Sequence, residues 1–539
     1  TITGSFRMTQ SFLGRRGIAV APHSLASEAA LRVLRDGGNA LEAMIAAAAS
    51  IAVVYPHMNS IGGDGFWVIG GPSGPLQGID ASGASAAAAT LDNYAKRGVS
   101  GSIPFRGGVA ALTVAGTVSG WGAAHALARE WGGTLPLSRL LEDALWYARE
   151  GIPVTHSQWA CTEAKRAELA SIAGFAETFL QDGVSPAAFS LFRQPRLAAT
   201  LQRIATHGTD DFYRGELARQ LAAELAAVGS PLTAADLAAH QAKRVDPLTL
   251  AIPGARLANM TPPSQGVVSL MILGIMQRLQ GWDADPLGAA FVHAQVEATK
   301  QAFKLRDQHV TDPAFMRIAP ASLLRDELLD ELAAAIDPQR AAPWGRRTDP
   351  GDTIWMGVID GEGRAVSFIQ SIYHEFGSGV VLPGSGVNWQ NRGCSFSLDP
   401  AHINALAPGK RPFHTLNPAL AQLADGRLMV YGTMGGDGQP QTQATVFNRI
   451  QRFGLAPQAA IEMPRWLLGR TWGMASDSLK LEARFPASTF DTLRAMGHEV
   501  ESLGDWDESV GHAGALIRQP NGLLMGGFDP RSNGSVAAF

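Results

Sequence analysis

Thr353 stands in the run Gly351-Asp352-Thr353-Ile354-Trp355-Met356-Gly357-Val358-Ile359-Asp360. A hydroxyl residue follows a flexible Gly-Asp pair there and opens an apolar stretch that reads as a buried strand. Cutting the Asp352–Thr353 bond would give Thr353 both a hydroxyl nucleophile and a free α-amine. A terminal amine has an ordinary pKa of roughly 7.7–8.0, so it can act as base for its own hydroxyl. Taken alone, the run also fits an ordinary strand start after a loop. Acyl transfer further needs an orienting group and donors for an oxyanion. Gly435-Gly436, after the apolar run Leu428–Tyr431, is a candidate for those donors. Two glycines let backbone N–H groups approach a substrate closely, although a bare Gly-Gly also reads as a turn.

The elements that must position these residues have two textures. Residues 20–340 are rich in Ala and Leu with helical periodicity. Ser24-Leu25-Ala26-Ser27-Glu28 offers a helix start and Gly37-Gly38 a stop. Leu217–Val228 and Leu323–Ile336 read as amphipathic helices. A Pro- and Arg-rich loop, Asp337 to Gly351, separates the halves and suits a segment that moves after cleavage. Beyond Thr353 the pattern is strand and turn. Asp360-Gly361, Asp425-Gly426 and Asn521-Gly522 are hairpin signals, because primed turns need positive φ. Helical segments Gln443–Phe453 and Ser488–Met496 interrupt them. Helices over antiparallel hairpins predict an α+β layered fold.

Composition excludes several classes. A net charge of −4 over 539 residues gives no bias toward nucleic acid or anionic membrane. Cys161 and Cys394 are too far apart to suggest a disulfide framework or a metal site. His293, His309 and His374 show no ligand spacing, so neither metal nor other cofactor is expected. The apolar stretch from Ala43 to Tyr55 has 13 residues, too few to span a bilayer. Thr1 to Arg16 has no apolar core of the signal-peptide kind, and Met8 reads as a native start behind a short remnant. The expectation is a cytoplasmic enzyme, unless a leader was removed.

Several ordered blocks carry a resemblance. They are Asp36-Gly37-Gly38-Asn39-Ala40, Asn59-Ser60-Ile61-Gly62-Gly63-Asp64-Gly65-Phe66, Gly116-Thr117-Val118-Ser119-Gly120 and Pro262-Pro263-Ser264-Gln265-Gly266. After Thr353 come Phe376-Gly377-Ser378-Gly379, Gly409-Lys410-Arg411-Pro412 and Gly432-Thr433-Met434-Gly435-Gly436. In this order around this Thr, from about Gly17 to the C-terminus, the chain resembles the γ-glutamyltransferase family, whose members cut themselves before a Thr. The resemblance implies an αββα sandwich of the N-terminal-nucleophile hydrolase type. It implies cleavage between Asp352 and Thr353 into fragments 1–352, helix-rich, and 353–539, strand-rich, that stay associated as one catalytic unit and can pair further as a dimer of heterodimers. It implies that Ser371 orients the nucleophile, where the family usually has Thr, and that Gly435 and Gly436 hold the oxyanion. Arg306 and Asp312-Pro313 match a helix end of the family and read as structural.

The departures lie in substrate recognition. Family members that bind a γ-glutamyl group hold its α-carboxylate with an Arg, and Ser82 stands at that position in Ile79-Asp80-Ala81-Ser82-Gly83. They hold the α-amino group with an acid, and Ser395 stands there, while Arg392 replaces a neutral amide residue. His414-Thr415 stands where the family often has two serines. A zwitterionic head group without both counter-charges would bury unpaired charge at a cost of several kcal/mol. Arg392 offers a fork of donors for one carboxylate; it also reads as a structural ion-pair partner. His414 reads as a turn residue or a substrate contact, with Thr415 beside it. The expected activity is hydrolysis of a small amide whose acyl part carries a carboxylate but no α-amino group. Among family members of this description, the resemblance implies oxamate as the best candidate, giving oxalate and ammonia in purine-nitrogen breakdown. The alternatives are a γ-glutamyltransferase or glutathione hydrolase, a glutaryl-type cephalosporin acylase, and an unprocessed relative with a binding role.

Overall fold

The computed structural model describes residues 10–345, 352–470 and 476–539. Two seven-stranded antiparallel sheets lie face to face. One runs Phe12–Gly14, Leu524–Phe528, Ala513–Arg518, Leu428–Thr433, Ala419–Leu423, Ala255–Asn259, Leu248–Ile252. The other runs Ser535–Ala538, Gly17–Ala21, Asp352–Asp360, Ala365–Tyr373, Asp64–Gly70, Gln77–Ala81, Lys243–Val245. Alternate residues of their facing strands fill the space between them. Trp355, Val430, Leu420 and Leu516 are buried there. Trp355, two places after Thr353, lies against Gly432 and Gly514, where an added Cβ would come within 2.2 and 2.5 Å of its ring. That contact locks the strand Asp352–Asp360 against the second sheet, and Trp355→Ala would cost about 3–5 kcal/mol.

Helices cover both outer faces. Ser24–Arg35 and Ala40–Val54 lie on the sheet that holds Thr353. The first ends because Gly37 takes φ +87°, a left-handed conformation that suits glycine. The second starts two residues later on a reciprocal cap, with the Asn39 side chain accepting from Glu42 N–H and Glu42 returning to Asn39 N–H. Every residue of Ala40–Val54 is buried, which accounts for the apolar stretch seen in the sequence. Gly266–Met276, Ala289–His309 and Gln439–Gln451 cover the other sheet. The layers are therefore helix, sheet, sheet, helix, an α+β sandwich of αββα order.

The three hairpin turns fall where the Asp-Gly and Asn-Gly pairs place them. The helices expected at Leu217–Val228, Gln443–Phe453 and Ser488–Met496 appear as Glu216–Ala227, Gln439–Gln451 and Ala487–Ala495. Leu323–Ile336 is shorter than expected. A 3-10 turn at Pro320–Leu324 precedes a helix Asp326–Ala334. Ser24 is the first helical residue, and the cap is His23, whose ring accepts from Leu25 N–H. The separating loop is partly outside the described residues, at 346–351. Strands also lie among the helices of residues 20–340. Asp64–Gly70, Gln77–Ala81 and Lys243–Asn259 supply strands to both sheets, because their apolar runs are short and lie between turns.

Candidate active site

Thr353 sits opposite a bulge in the neighbouring strand, Ala365–Tyr373. The register passes from Asp352 opposite Tyr373 to Ile354 opposite Gln370, so Thr353 faces both Ser371 and Ile372. A bulge re-aims the side chain it carries. The Thr353 hydroxyl, 1% exposed, donates to Ser371 Oγ at 3.1 Å. Ser371 Oγ also accepts the Tyr373 N–H at 2.8 Å. Two donors on one oxygen fix its lone pairs, and with them the direction of the Thr353 O–H bond.

Tyr373 ends this strand in an unusual state. Its φ is +83°, a strained conformation for a side chain of this size, and it is buried. The strain turns its ring beneath Arg392, whose guanidinium carbon lies 3.7 Å from the ring centre. Arg392 opens a short 3-10 turn, Arg392–Ser395, that the preceding residue pins to the hairpin end. Asn391 N–H donates to the Ile372 carbonyl, Asn391 Oδ1 accepts His374 N–H, and Asn391 Nδ2 donates to the Phe105 carbonyl. The Ser395 hydroxyl donates to the carbonyls of Arg392 and Phe413 at 2.9 and 3.1 Å. Ser395 therefore braces the turn through backbone groups.

Arg392 is 1% exposed and meets no carboxylate among the described residues. Both terminal nitrogens lie 3.4 Å from Thr415 Oγ1, and Nε has no partner. Burial lowers its pKa to about 10, against the opposing influence of Tyr373 and Asp64. Other buried arginines meet carboxylates or donate both terminal nitrogens to carbonyls, although Arg449 Nε, like Arg392 Nε, has no partner. Arg306 grips Asp437, Arg465 grips Asp529, Arg531 meets Glu482 and Asp529, and Arg449 donates to four backbone carbonyls. A desolvated cation with vacant donors is costly unless an anion completes it.

His414 and Thr415 lie on the same side. His414 Nε2 is 2.9 Å from Asp64 Oδ2, and its ring meets Phe66 edge-on. Asp64 is paired across the sheet with Ser371. Its Oδ1 accepts from Gly83 N–H, Gly116 N–H and Gln390 Nε2 at 3.0, 3.1 and 3.1 Å. Burial pushes Asp64 up to about 7, with these donors and the Arg392 charge acting against it. His414 is held well below the usual histidine range by burial, then by the charges of Arg392 and Arg411.

Gly435 and Gly436 adopt φ of +116° and +52°, which suits glycine. They lead into the N-terminus of Gln439–Gln451, and their N–H groups donate to no protein acceptor among the described residues. A buried network holds this turn. Gln265 donates to the carbonyls of Thr415 and Gly436 at 2.9 and 3.0 Å and accepts from Arg306, which also clamps Asp437. Gln265 thus ties the glycine turn to the segment that carries Thr415.

Ser82 lies apart from this group. Its hydroxyl donates to Asp80 Oδ1 at 2.5 Å, and it lines an open cleft of about 600 Å³ with Asp312, Lys243 and Arg411. Arg411 is paired there with both Asp80 and Asp312.

Around His293 the fold builds a cluster that local spacing does not show. The fold brings His498 to His293 and Glu297, one turn apart on Ala289–His309, in an arrangement with the residue types of a metal site. The geometry is that of a closed hydrogen-bond cluster. His293 Nδ1 and His498 Nε2 are 2.8 Å apart, and Lys300 Nζ lies 2.7 Å from Glu297. Two nitrogens on one tetrahedral zinc would stand farther apart, on the order of 3.3 Å for bonds of about 2.0 Å. The cluster instead secures the chain at residues 337–342, with His293 on the Asp337 carbonyl and both Glu297 and Lys300 on the Ala342 backbone.

Sequence reasoning missed Asp64, Tyr373 and Gln265 as site members. Asp64 and Gln265 sit in Gly- and Pro-rich blocks that marked them for attention. Their partners lie 350 and 150 positions away, which local spacing does not encode.

A model of the gamma-glutamyltranspeptidase family matches residues 26–539. The chain is 58% identical to an oxamate amidohydrolase proenzyme of Klebsiella pneumoniae over 99% of its length and 100% of the relative's. It is 40% identical to a glutathione hydrolase-like proenzyme of Bacillus subtilis, over 99% and 100%. A cephalosporin acylase from Bacillus halodurans has a solved structure of the same fold, with TM-score 0.90, 34% identity, and coverage of 100% of this chain and 99% of that one.

Proposed function

The chain belongs to the gamma-glutamyltranspeptidase family, and we propose that within it this protein is a self-processing amidohydrolase that converts oxamate to oxalate and ammonia. The observation that carries the substrate is Arg392, a buried cation with vacant donors beside the Thr353–Ser371 pair. Tyr373 supports this placement, since its backbone pairs with Asp352 while its ring lies under Arg392. The similarity to the Klebsiella proenzyme supports it as well.

Processing comes first. Thr353 Oγ attacks the Asp352 carbonyl, the peptide nitrogen leaves with a proton, and water cleaves the resulting ester. Fragments 1–352 and 353–539 remain together because both sheets draw strands from each. In turnover, the oxamate carboxylate sits on Arg392 with Thr415 beside it. The Thr353 amine takes the proton of Oγ as Oγ bonds to the amide carbon. The oxyanion rests on the N–H groups of Gly435 and Gly436. Collapse breaks the C–N bond, and the amine passes its proton to the departing nitrogen, which leaves as ammonia. Water then adds to the ester, its proton goes to the amine, and oxalate departs as Thr353 Oγ regains a proton.

Cys161 and Cys394 are not joined in a disulfide, which supports a reducing, cytoplasmic setting, and no helix among the described residues is long and apolar enough to cross a membrane. A role in purine-nitrogen breakdown follows if oxamate is the substrate. A glutaryl-type acylase is the second reading. The open cleft beside Ser82 favours it, as does the likeness to the Bacillus halodurans acylase. Ammonia release from oxamate, measured against release of the amine from glutaryl amides, decides between them. Preference for glutaryl amides would reject the oxamate reading.

A further inference from the structure

His414 carries a second vacancy in the site, of opposite kind to that of Arg392. Asp64 Oδ1 takes three N–H donors, and its Oδ2 faces His414 Nε2 at 2.9 Å. The three donors on Oδ1 favour the carboxylate form. Facing a carboxylate, Nε2 must carry the hydrogen. Burial and the nearby cations keep the ring neutral, so it has one N–H only. Nδ1 is then a bare lone pair. It is buried on a residue 1% exposed and has no hydrogen-bond partner. A buried acceptor left unmade costs about 1–3 kcal/mol. A carboxylate cannot satisfy it, since two acceptors repel. The ligand group it lacks is an N–H.

We propose that His414 Nδ1 accepts a hydrogen bond from the amide nitrogen of the substrate, and that Asp64 is the positioning residue that fixes the imidazole tautomer for this contact. The inference rests on the carboxylate-amide reading above and adds to it a reader for the opposite end of the molecule. Arg392 supplies donors to the carboxylate, and His414 supplies an acceptor to the nitrogen. The nitrogen keeps N–H groups as it departs as ammonia, so the contact persists through C–N cleavage. An ester of the same acid has an oxygen at that position and offers no N–H.

The experiment compares kcat/KM for oxamate and for monoethyl oxalate in the processed wild-type enzyme and three variants. His414→Phe removes the acceptor. Asp64→Asn keeps an oxygen for the three donors and turns an N–H toward Nε2, which forces the imidazole hydrogen to Nδ1, as in the known wrong-tautomer effect of a triad Asp→Asn change. Both variants should lower the amide-to-ester ratio, on the order of ten- to hundredfold for a hydrogen bond of this class. His414→Asn places an amide oxygen near the Nδ1 position and should restore part of the ratio. Conversion to two fragments on a gel certifies folding in each case. An equal loss for amide and ester in the folded variants overturns the proposal and leaves a supporting role only. A wild-type enzyme idle on both compounds overturns the carboxylate-amide reading, and the proposal with it.

Discussion

Tyr373 lies face-on beneath Arg392, 3.7 Å from guanidinium carbon to ring centre, while its own backbone is held at φ +83° two residues beyond Ser371. One strand end therefore sets both halves of the chemistry. Its N–H fixes the hydroxyl that orients Thr353, and its ring fixes the cation proposed to hold the substrate. A desolvated cation–π contact contributes about 2 kcal/mol. Tyr373→Leu should therefore raise KM for oxamate by roughly tenfold or more and move kcat much less, because the Ser371 contact uses the backbone. Steady-state kinetics separates the two constants. A variant that loses kcat at unchanged KM would show that the ring serves the nucleophile instead.

Thr353→Ala should abolish processing and turnover together. The alanine has no Oγ to attack the Asp352 carbonyl, and uncut chain has no free amine at position 353. Mass spectrometry of the purified protein should give fragments 1–352 and 353–539 for wild type and one chain of 539 residues for the variant. A wild-type preparation that stays intact yet is fully active would refute the nucleophile assignment.

The pH dependence follows from Asp64, which burial pushes up to about 7. The charged and titratable groups that influence it are Arg392, His414 and Tyr213. Its carboxylate form keeps the His414 hydrogen on Nε2. Protonation lets the hydrogen shift to Nδ1 and removes the acceptor. Amide hydrolysis should accordingly be present above about pH 7 and fall as pH drops through that value. The Thr353 amine adds its own acid limb to every substrate. The test is the amide-to-ester ratio between pH 5.5 and 8.5, chosen as roughly 1.5 units either side of the ordinary near-neutral range. A ratio that stays flat would exclude Asp64 as the titrating group.

The layered fold was legible because its signals are local. Asp-Gly and Asn-Gly turns, glycine stops and amphipathic repeats each act within a few residues. Thr353 was legible too, as a hydroxyl at a strand start inside a recognisable frame. Arg392 was legible only as a substitution against a family pattern, and its vacant donors emerge from packing. Asp64 and Tyr373 were hidden for a physical reason. An acid becomes a positioning group through a histidine 350 residues away, and a tyrosine becomes a platform through a backbone angle. The strands before position 340 were obscured by the alanine-rich helices that flank them.

γ-Glutamyl-p-nitroanilide should be a poor substrate. Ser395 uses its hydroxyl on backbone carbonyls, and Ser82 uses its own on Asp80, so neither supplies a charge to a zwitterionic head group. Arg411, a cation in the cleft that Ser82 lines, is committed to Asp80 and Asp312. Release of p-nitroaniline at the rate of a dedicated transferase would mean that other residues recognise the amino acid end.

Arg392 provides the sharpest test of the substrate. A bidentate, charge-assisted pair is stronger and more directional than a single ammonium contact, and lysine keeps the charge while losing the fork. Arg392→Lys should weaken oxamate hydrolysis, and Arg392→Ala should weaken it further, by roughly 2–5 kcal/mol in kcat/KM for a buried pair. Part of the effect of the lysine will come from lost stacking on Tyr373. Autocleavage should survive both changes, since the scissile Asp352–Thr353 peptide needs no anchor for a substrate carboxylate. That survival separates lost recognition from a damaged nucleophile. Arg392→Ala should also leave hydrolysis of the neutral analogue oxamide less affected than that of oxamate, because oxamide has no carboxylate to lose. Wild-type kcat/KM for oxamate in Arg392→Ala would move the carboxylate elsewhere, with the Thr415 hydroxyl as the next group to remove.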